Sequence, residues 1–363
     1  MTAQTPTFAQ STWLVAEREV GSKLRSKAFL ISTGILFLLA LVSVVWGGFA
    51  AQSNEGIPIA VTSQTAPVVA SLGDAVEVTE AADADAARAL VDDGTVDAAL
   101  VPGGTGSFDY TVVADDSPPS SLLQLLSQTP PVELLNPDGT DALLRYFVAL
   151  GFGLIFFMAA LTFGSTIAQS VVEEKATRVV ELLISAIPVR ALLAGKVIGN
   201  TILAMGQIIG LGAIAIVGLT VTGQSSLLAG LGAPLAWFAV FFFFGFVLLA
   251  SLFAAAGAMV SRQEDIGSTT TPLTFLVMAP YLLVVFFNDN PVIMTVMSYV
   301  PFSAPVAMPV RIFLGTAQWW EPLLSLAVML ATCAAAIWVG SKIYENSILR
   351  MGGRVKLTEA LAG

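Results

Sequence analysis

Six stretches of the chain are long, apolar and without any Asp, Glu, Lys, Arg or His, and no other feature of the sequence limits the fold so strongly. A helix needs about 20 predominantly apolar residues to cross the hydrocarbon core of a membrane. The stretches are residues 28–50, 146–168, 197–222, 235–260, 272–287 and 323–341. Only 12% of the chain is charged, against about 25% in an average soluble protein. The sequence therefore predicts an α-helical integral membrane protein with six transmembrane helices.

The lysines and arginines between the spans predict which side of the membrane each segment faces. With a cytoplasmic amino terminus, 13 of the 16 fall in cytoplasmic segments, and the exceptions are Arg88, Arg145 and Arg311. Such an excess is typical of cytoplasmic loops. The first span is also longer than the apolar core of a signal peptide, so we expect it to remain uncleaved. We expect cytoplasmic amino and carboxyl termini and a multi-pass protein of the cell membrane.

Residues 51–142, between the first two spans, have the composition of a soluble domain. "IPIAVT" and "FDYTVV" are typical of strands, and "DADAARALVDDGTVDAALVPG" indicates a helix, a turn at Asp93-Gly94 and a strand. We expect a small extracytoplasmic α/β domain. Its many acidic residues suit either a cation site or a solvated surface. They lack the spacing of a calcium-binding loop, so we favour the solvated surface and expect no metal site.

The sequence lacks the residues that are characteristic of several classes of protein. The chain has no histidine, no GxxxxGK[ST] phosphate loop and no recognisable catalytic constellation. Its net charge of −10 argues against binding to nucleic acid. Spans without ionisable residues are unusual for ion-coupled carriers. A sodium-coupled carrier and a membrane receptor with a ligand-sensing outer domain remain as alternatives to an exporter powered by another chain.

The densest mixture of charges lies between the second and third spans, in residues 169–196, which we call the bridge. Residues 171–196 read "VVEEKATRVVELLISAIPVRALLAGK". Apolar residues recur there at helical spacing, and Glu174 and Arg178 form an i, i+4 pair. The bridge could be an interfacial linker whose charges only follow topology. Acidic and basic residues on one helix favour contact with a protein partner.

The bridge and its surroundings resemble a known family. The bridge contains the motif E-K-x-x-R-x-x-E-L-L, which begins at Glu174 and is followed by Pro188 and Gly195-Lys196. This combination is similar to the cytoplasmic loop of ABC-2 type transporter permeases. The branch that includes sodium-extrusion permeases is the most similar. The opening "EREVGSKLRSKAFLIST", the large insert after the first of six spans and "YVPFSAPVAMPVRIFLG" before the last span resemble that branch too.

The resemblance implies partners and roles. The bridge would dock on a separate ABC ATPase subunit, two ATPase chains would work with two permease chains, and ATP with Mg²⁺ would be bound by the ATPase. This chain would itself hold no cofactor. Residues 1–27 would form an amphipathic elbow, and residues 342–363 a cytoplasmic tail. The candidate contacts are Glu173, Glu174, Lys175, Arg178 and Glu181 in the bridge and Arg262, Glu264 and Asp265 in the loop 261–271. That loop could equally be a plain polar turn.

Neutral polar residues in the spans are candidates for a translocation path. They are Thr162, Ser165, Thr166 and Gln169 in the second span and Asn200, Thr201 and Gln207 in the third. Such residues also join helices by hydrogen bonds, which is an alternative role. Small residues at four-residue spacing predict a close packing face, and they are Gly195, Gly199, Gly206 and Gly210. Na⁺ and a lipophilic compound both remain open as cargo.

Residues 288–322 carry too many prolines for one continuous span. We expect short outer helices or a re-entrant pair there. The resemblance implies an outer gate at this position, for which the candidates are Pro301, Pro305, Pro309 and Arg311. No catalytic residue is expected in the chain.

Overall fold

A computed structural model describes residues 7–52, 56–103, 109–115, 118–126, 142–350 and 355–362. The chain divides into two compact units. One comprises Met1–Val45 and Asp138–Gly363, and the other comprises Trp46–Pro137.

The described residues form fourteen α-helices and four strands. In chain order they are α1 (Phe8–Arg25), α2 (Lys27–Gln52), β1 (Ile57–Val61), α3 (Ala66–Val69), β2 (Val76–Glu80), α4 (Ala84–Asp92), β3 (Ala98–Pro102), β4 (Tyr110–Val113), α5 (Ser120–Leu126), α6 (Ala142–Ala176), α7 (Val179–Ala186), α8 (Val189–Val221), α9 (Ser225–Ala258), α10 (Ile266–Phe286), α11 (Pro291–Tyr299), α12 (Ala304–Phe313), α13 (Glu321–Ser347) and α14 (Leu357–Ala362). Short 3₁₀ helices span Ala70–Ala75 and Gln263–Asp265.

Six helices among the described residues are long and apolar enough to cross a membrane, which confirms the predicted number. They are α2, α6, α8, α9, α10 and α13. Several run beyond the apolar windows, since α6 continues to Ala176 and α8 begins at Val189. Glu, Lys and Arg are good helix formers, so a helix continues where its hydrophobic stretch stops. Much of the predicted bridge is therefore part of α6 and α8.

Helix α9 lies at the centre of the helical unit. It packs against α6, α8, α12 and α13, and 67% of its apolar window is buried within the chain. Its phenylalanines supply much of the core: Phe241, Phe242, Phe246 and Phe253 are each almost completely buried. The apolar window of α2, by contrast, is 0% buried within the chain, so most of this helix is left for lipid or another chain.

Glycines on α8 allow close contact with the helices before it. A Cβ atom added at Gly195 would lie 2.4 Å from Val15 Cβ, and one added at Gly199 would lie 2.9 Å from Ala16 O, so both glycines pack against α1. Gly210 packs against the ring of Phe37 on α2. The prediction of a four-glycine packing face is wrong at Gly206, where an added Cβ would meet nothing within 4 Å.

The second unit is a small α/β fold. Its sheet has the order β2-β1-β3-β4, in which β1 is parallel to β2 and β3, and β4 is antiparallel to β3. The turn predicted at Asp93-Gly94 follows α4, and Gly94 takes the left-handed conformation with φ +73°. Strand β2, which carries "VEVTE", was not predicted, because five residues with two glutamates give a weak strand signal.

Two short helices, α11 and α12, connect α10 to α13, in agreement with the expectation that prolines prevent one continuous span. Pro291 and Pro305 lie in the first turns of α11 and α12, where a missing backbone N–H is tolerated. Pro309 lies inside α12.

Candidate functional site in the bridge

The bridge is not one amphipathic helix. Helix α6 ends at Ala176, and Arg178 takes a left-handed conformation with φ +59° that separates it from α7. Ile187, extended because a proline follows it, then separates α7 from α8. The predicted i, i+4 pair of Glu174 with Arg178 is wrong, since Glu174 pairs with Arg18 and Lys196 instead. A non-glycine residue with positive φ has no clear signal in the sequence.

Four charged side chains meet where α1 crosses α6 and α8, and we call them the ion cluster: Arg18, Glu19, Glu174 and Lys196. Lys196 Nζ donates a hydrogen bond to Glu19 Oε1 at 3.0 Å and another to Ser170 Oγ. It also lies 3.0 Å from Glu174 Oε2, a charge contact outside hydrogen-bond geometry. Arg18 donates to Glu174 and lies 3.3 Å from Glu19 Oε1. The cluster thus joins three helices.

The ion cluster also sets the ionisation of its two members on α1. Burial opposes ionisation of Glu19, but the nearby cations Lys196 and Arg18 outweigh it and hold the pKa of this carboxyl below its ordinary value. Burial likewise disfavours charged Arg18, while Glu174 and Glu19 hold its pKa above its ordinary value. Both groups are therefore charged at neutral pH.

Lys175 is completely buried and does not lie on a contact surface. Its Nζ donates hydrogen bonds to Ala258 O at 2.7 Å and Ser347 O at 2.8 Å. These carbonyls end α9 and α13, and helix carboxyl ends carry partial negative charge that a cation stabilises. Lys175 therefore ties α6 to two other helices.

The exposed part of the bridge is centred on α7. Leu182 is 73% exposed, and Arg178 and Glu181 are exposed beside it in sequence. Val180 on the same helix is completely buried and fixes α7 to the helical core. Glu173, at the end of α6, is exposed as well. Of the five predicted bridge contacts, Glu173, Arg178 and Glu181 are thus exposed, and Glu174 and Lys175 take internal partners.

The loop between α9 and α10 is short and charged. Arg262 and Glu264 pair at 3.4 Å with both side chains largely exposed. Asp265 follows at the start of α10 and is half-buried.

The candidate path residues fall into two environments. On α6, Thr162 and Gln169 are exposed, and Ser165 and Thr166 are half-buried. On α8, Gln207 is half-buried, whereas Asn200 and Thr201 are buried and donate hydrogen bonds to Lys196 O and Val197 O of their own helix. The α6 residues form a partly exposed polar stripe, and Asn200 and Thr201 do not extend it.

Of the candidate gate residues, Arg311 lies in a buried hydrogen-bond network. Arg311 donates to Glu321 Oε2 at 2.7 Å, Ser298 Oγ at 2.8 Å and Thr316 O at 3.2 Å. Tyr299 donates to Glu321 Oε1 at 3.1 Å, and burial together with this hydrogen bond raises the pKa of Tyr299. Arg311 therefore joins α12 to the ends of α11 and α13. Pro305 and Pro309 are buried beside it, and Pro301 is half-buried.

Sequence reasoning missed Glu19, Glu321 and the role of Lys196. Glu19 did have a signal: it follows Val15 and Ala16 at the spacing that puts all three on one helix face, where a charge among apolar residues stands out. For Glu321 the only signal in the sequence is its position directly after Trp319-Trp320.

Comparison with known proteins relates most of the chain to one family. The sequence pattern described as ABC-2 family transporter protein matches residues 27–342. The uncharacterised protein YhaP of Bacillus subtilis (strain 168) is 27% identical over 400 aligned positions, which cover 94% of this chain and 95% of that protein. The uncharacterised protein MJ1024 of Methanocaldococcus jannaschii is 24% identical over 212 positions, covering 58% of this chain and 51% of that protein.

Proposed function

The chain belongs to the ABC-2 family of transporter proteins, and we propose that it is the permease subunit of an exporter driven by a separate ATPase. The observation that carries the proposal is the surface of α7, where an exposed leucine stands among charged residues on a helix anchored in the core. The sequence contains no GxxxxGK[ST] loop, so in this proposal two partner ATPase chains bind ATP and Mg²⁺. A second permease chain, identical or different, completes the transporter.

We propose that the ATPase docks on Glu173, Arg178, Glu181 and Leu182, which we call the docking surface. An exposed leucine beside charged residues suits an interface, because burial of its side chain is favourable while the charges select the partner. Arg262, Glu264 and Asp265 are a second candidate contact. Glu174 and Lys175 are left out, since their polar groups already have partners inside the chain.

The distribution of lysine and arginine supports the placement of the bridge and both termini in the cytoplasm. The α/β unit then lies outside the cell membrane, and α11 and α12 lie near the outer face as a gate. The polar stripe of Thr162, Ser165, Thr166 and Gln169 is the proposed start of the path. The proposed cargo is Na⁺ or a lipophilic compound. ATP-driven uptake into inside-out vesicles, measured with each in turn, distinguishes the two.

Leu182→Asp tests the docking surface. We expect the tagged wild-type chain to co-purify with a subunit that carries a GxxxxGK[ST] loop and hydrolyses ATP. Loss of an interface anchor costs about tenfold or more in affinity, so the variant should lose most of this subunit. Leu123→Asp, at an exposed leucine on α5 in the α/β unit, is the matched control and should retain it. No ATPase with the wild-type chain, or equal recovery with both variants, would contradict the proposal.

A further inference from the structure

Lys196 joins α1 to the two long helices on either side of the bridge. It belongs to α8, is completely buried, and lies 3.0 Å from a carboxylate oxygen of Glu19 on α1 and 3.0 Å from one of Glu174 on α6. One cation therefore holds acidic side chains from two other helices.

The ion cluster is balanced only while Lys196 is present. It contains two acidic and two basic side chains, and the other base, Arg18, is 42% exposed. Without Lys196, two largely buried carboxylates would share one partly solvated cation. Breaking a buried ion pair on one side is far more costly than removing both partners, because the remaining charge is left unpaired.

The backbone brings α1 close enough for these contacts. Gly195 and Gly199 flank Lys196 in the sequence of α8 and lie against Val15 and Ala16 of α1. A side chain at either glycine would collide with α1, so the approach depends on both. The buried face of α1 is thus seated on the part of α8 that carries Lys196.

Helix α7 is fixed to the same group of helices. Val180 is completely buried in the core cluster that also contains Val15 of α1, Val171 of α6 and Leu192 of α8. Helix α7 packs against α6 and α8, and α1 packs against α8, so the docking surface and the buried face of α1 belong to helices that share a neighbour.

We propose that α1 belongs to the coupling apparatus. Helix α1, the adjoining ends of α6 and α8, and α7 form one body, which we call the junction. Lys196 is the positioning residue that balances the two buried carboxylates inside it. What pushes on the junction rests on the proposed function above, but its existence as one body does not. Helix α1, which lies in the segment expected from the resemblance to form an elbow, then transmits movement from α7.

The test compares Lys196→Gln with Glu19→Gln/Lys196→Gln in the full chain. The single substitution leaves two acids and one base, whereas the double substitution leaves the Arg18–Glu174 pair balanced. Arg190→Gln is the matched control, because Arg190 lies on the same helix and pairs with Glu345 at an exposed position.

The readout is a distance distribution between spin labels at Leu14 on α1 and Ser185 on α7, two exposed positions. Cys333 is the only cysteine, so Cys333→Ala gives a background for labelling. We expect Lys196→Gln to broaden the distribution about twofold or more in nanodiscs, and the double variant to restore it. Arg190→Gln should match the wild-type width. A Lys196→Gln width equal to wild type, or a double variant as broad as the single, overturns the proposal.

A second label pair, at Ile209 on α8 and Val240 on α9, reports on the rest of the bundle. If Lys196→Gln also broadens the distance distribution of this pair, the packing of the bundle is lost. Glu19→Gln is then the variant that tests the proposal. That variant keeps the contact between Lys196 and Glu174, so broadening of the α1–α7 pair alone supports the junction and no broadening overturns it. The experiment contains no ATPase, so its failure is distinguishable from a failure to find the partner subunit.

Discussion

Two buried lysines in the bridge have polar partners of different kinds. Lys196 contacts carboxylates, whereas Lys175 donates to the carbonyls that end two helices. A fully buried ammonium is costly unless its donors are satisfied. Both lysines therefore stabilise the arrangement of helices, and the surface left for a partner contains Arg178 and the acids around Leu182.

Replacement of Lys175 by methionine should destabilise the chain by about 1–3 kcal/mol, because two buried carbonyls lose a charged donor. Thermal unfolding of the purified chain in nanodiscs measures the change. Lys342→Met, at an exposed lysine on α13, is the control and should leave the melting temperature nearly unchanged. Equal melting temperatures for the two variants would mean that the Lys175 hydrogen bonds contribute little.

The sequence indicated the position of these charges but not their partners. Arg178 and Glu181 were predicted on the polar face of one helix; both are exposed, but only Glu181 lies in a helix, and Arg178 lies between α6 and α7. Glu174 and Lys175 are charged residues of the same segment, yet their side chains have partners inside the chain. Arg18, a partner of Glu174, and Ser347, a partner of Lys175, lie more than a hundred positions away along the chain. The pattern of a single helix contains no information about such neighbours.

At the scale of elements, the contact between α1 and α8 depends on glycines, which have no side chain. Gly195→Ala should displace α1, because its Cβ would lie 2.4 Å from Val15 Cβ. Thr12 is buried in the wild-type helix. A cysteine placed there in a Cys333→Ala background should therefore react with maleimide about tenfold faster after Gly195→Ala, a local opening of roughly 1.4 kcal/mol.

Gly206→Ala is the matched control on the same helix. Nothing lies within 4 Å of its added Cβ, so the change should leave labelling at position 12 slow. Alanine is also about 1 kcal/mol better than glycine inside a helix, so this variant should be as stable as the wild type or more so. Fast labelling in both variants would show that glycine flexibility, and not close packing, seats α1.

The six long helices could be predicted because the length of apolar sequence needed to cross a membrane is fixed by the bilayer. The ends of those helices could not, since Glu173, Glu174 and Lys175 continue α6 as well as any apolar residue. The division of the bridge at Arg178 was missed for another reason. A positive φ is uncommon for arginine, so the residue type gives no sign of the break.

At the scale of the whole molecule, acid should loosen the junction. The folded chain holds the pKa of Glu19 below its ordinary value, so the stabilisation is complete above about pH 4.3 and is lost as the pH falls through the lowered pKa. The charged groups around Glu19 are Lys196 on α8, Glu174 on α6, and Arg18 and Lys23 on α1.

Thermal unfolding of the wild type and Glu19→Gln between pH 7 and about pH 2 measures this effect, because the loss begins only below the ordinary carboxyl pKa of about 4.3. The difference in stability between them should shrink toward the acid end, by about 1.4 kcal/mol for each unit by which the pKa is lowered. A difference that stays constant over this range would mean that Glu19 is no more acidic in the folded chain than in the unfolded one.

The ion cluster has one further consequence for a protein that works in an electric field. Each elementary charge moved across a membrane potential of 100 mV requires about 2.3 kcal/mol of electrical work. Arg18, Glu19, Glu174 and Lys196 together carry two positive and two negative charges. A displacement of these four residues together moves no net charge, so the ion cluster itself adds no dependence on membrane voltage to that movement.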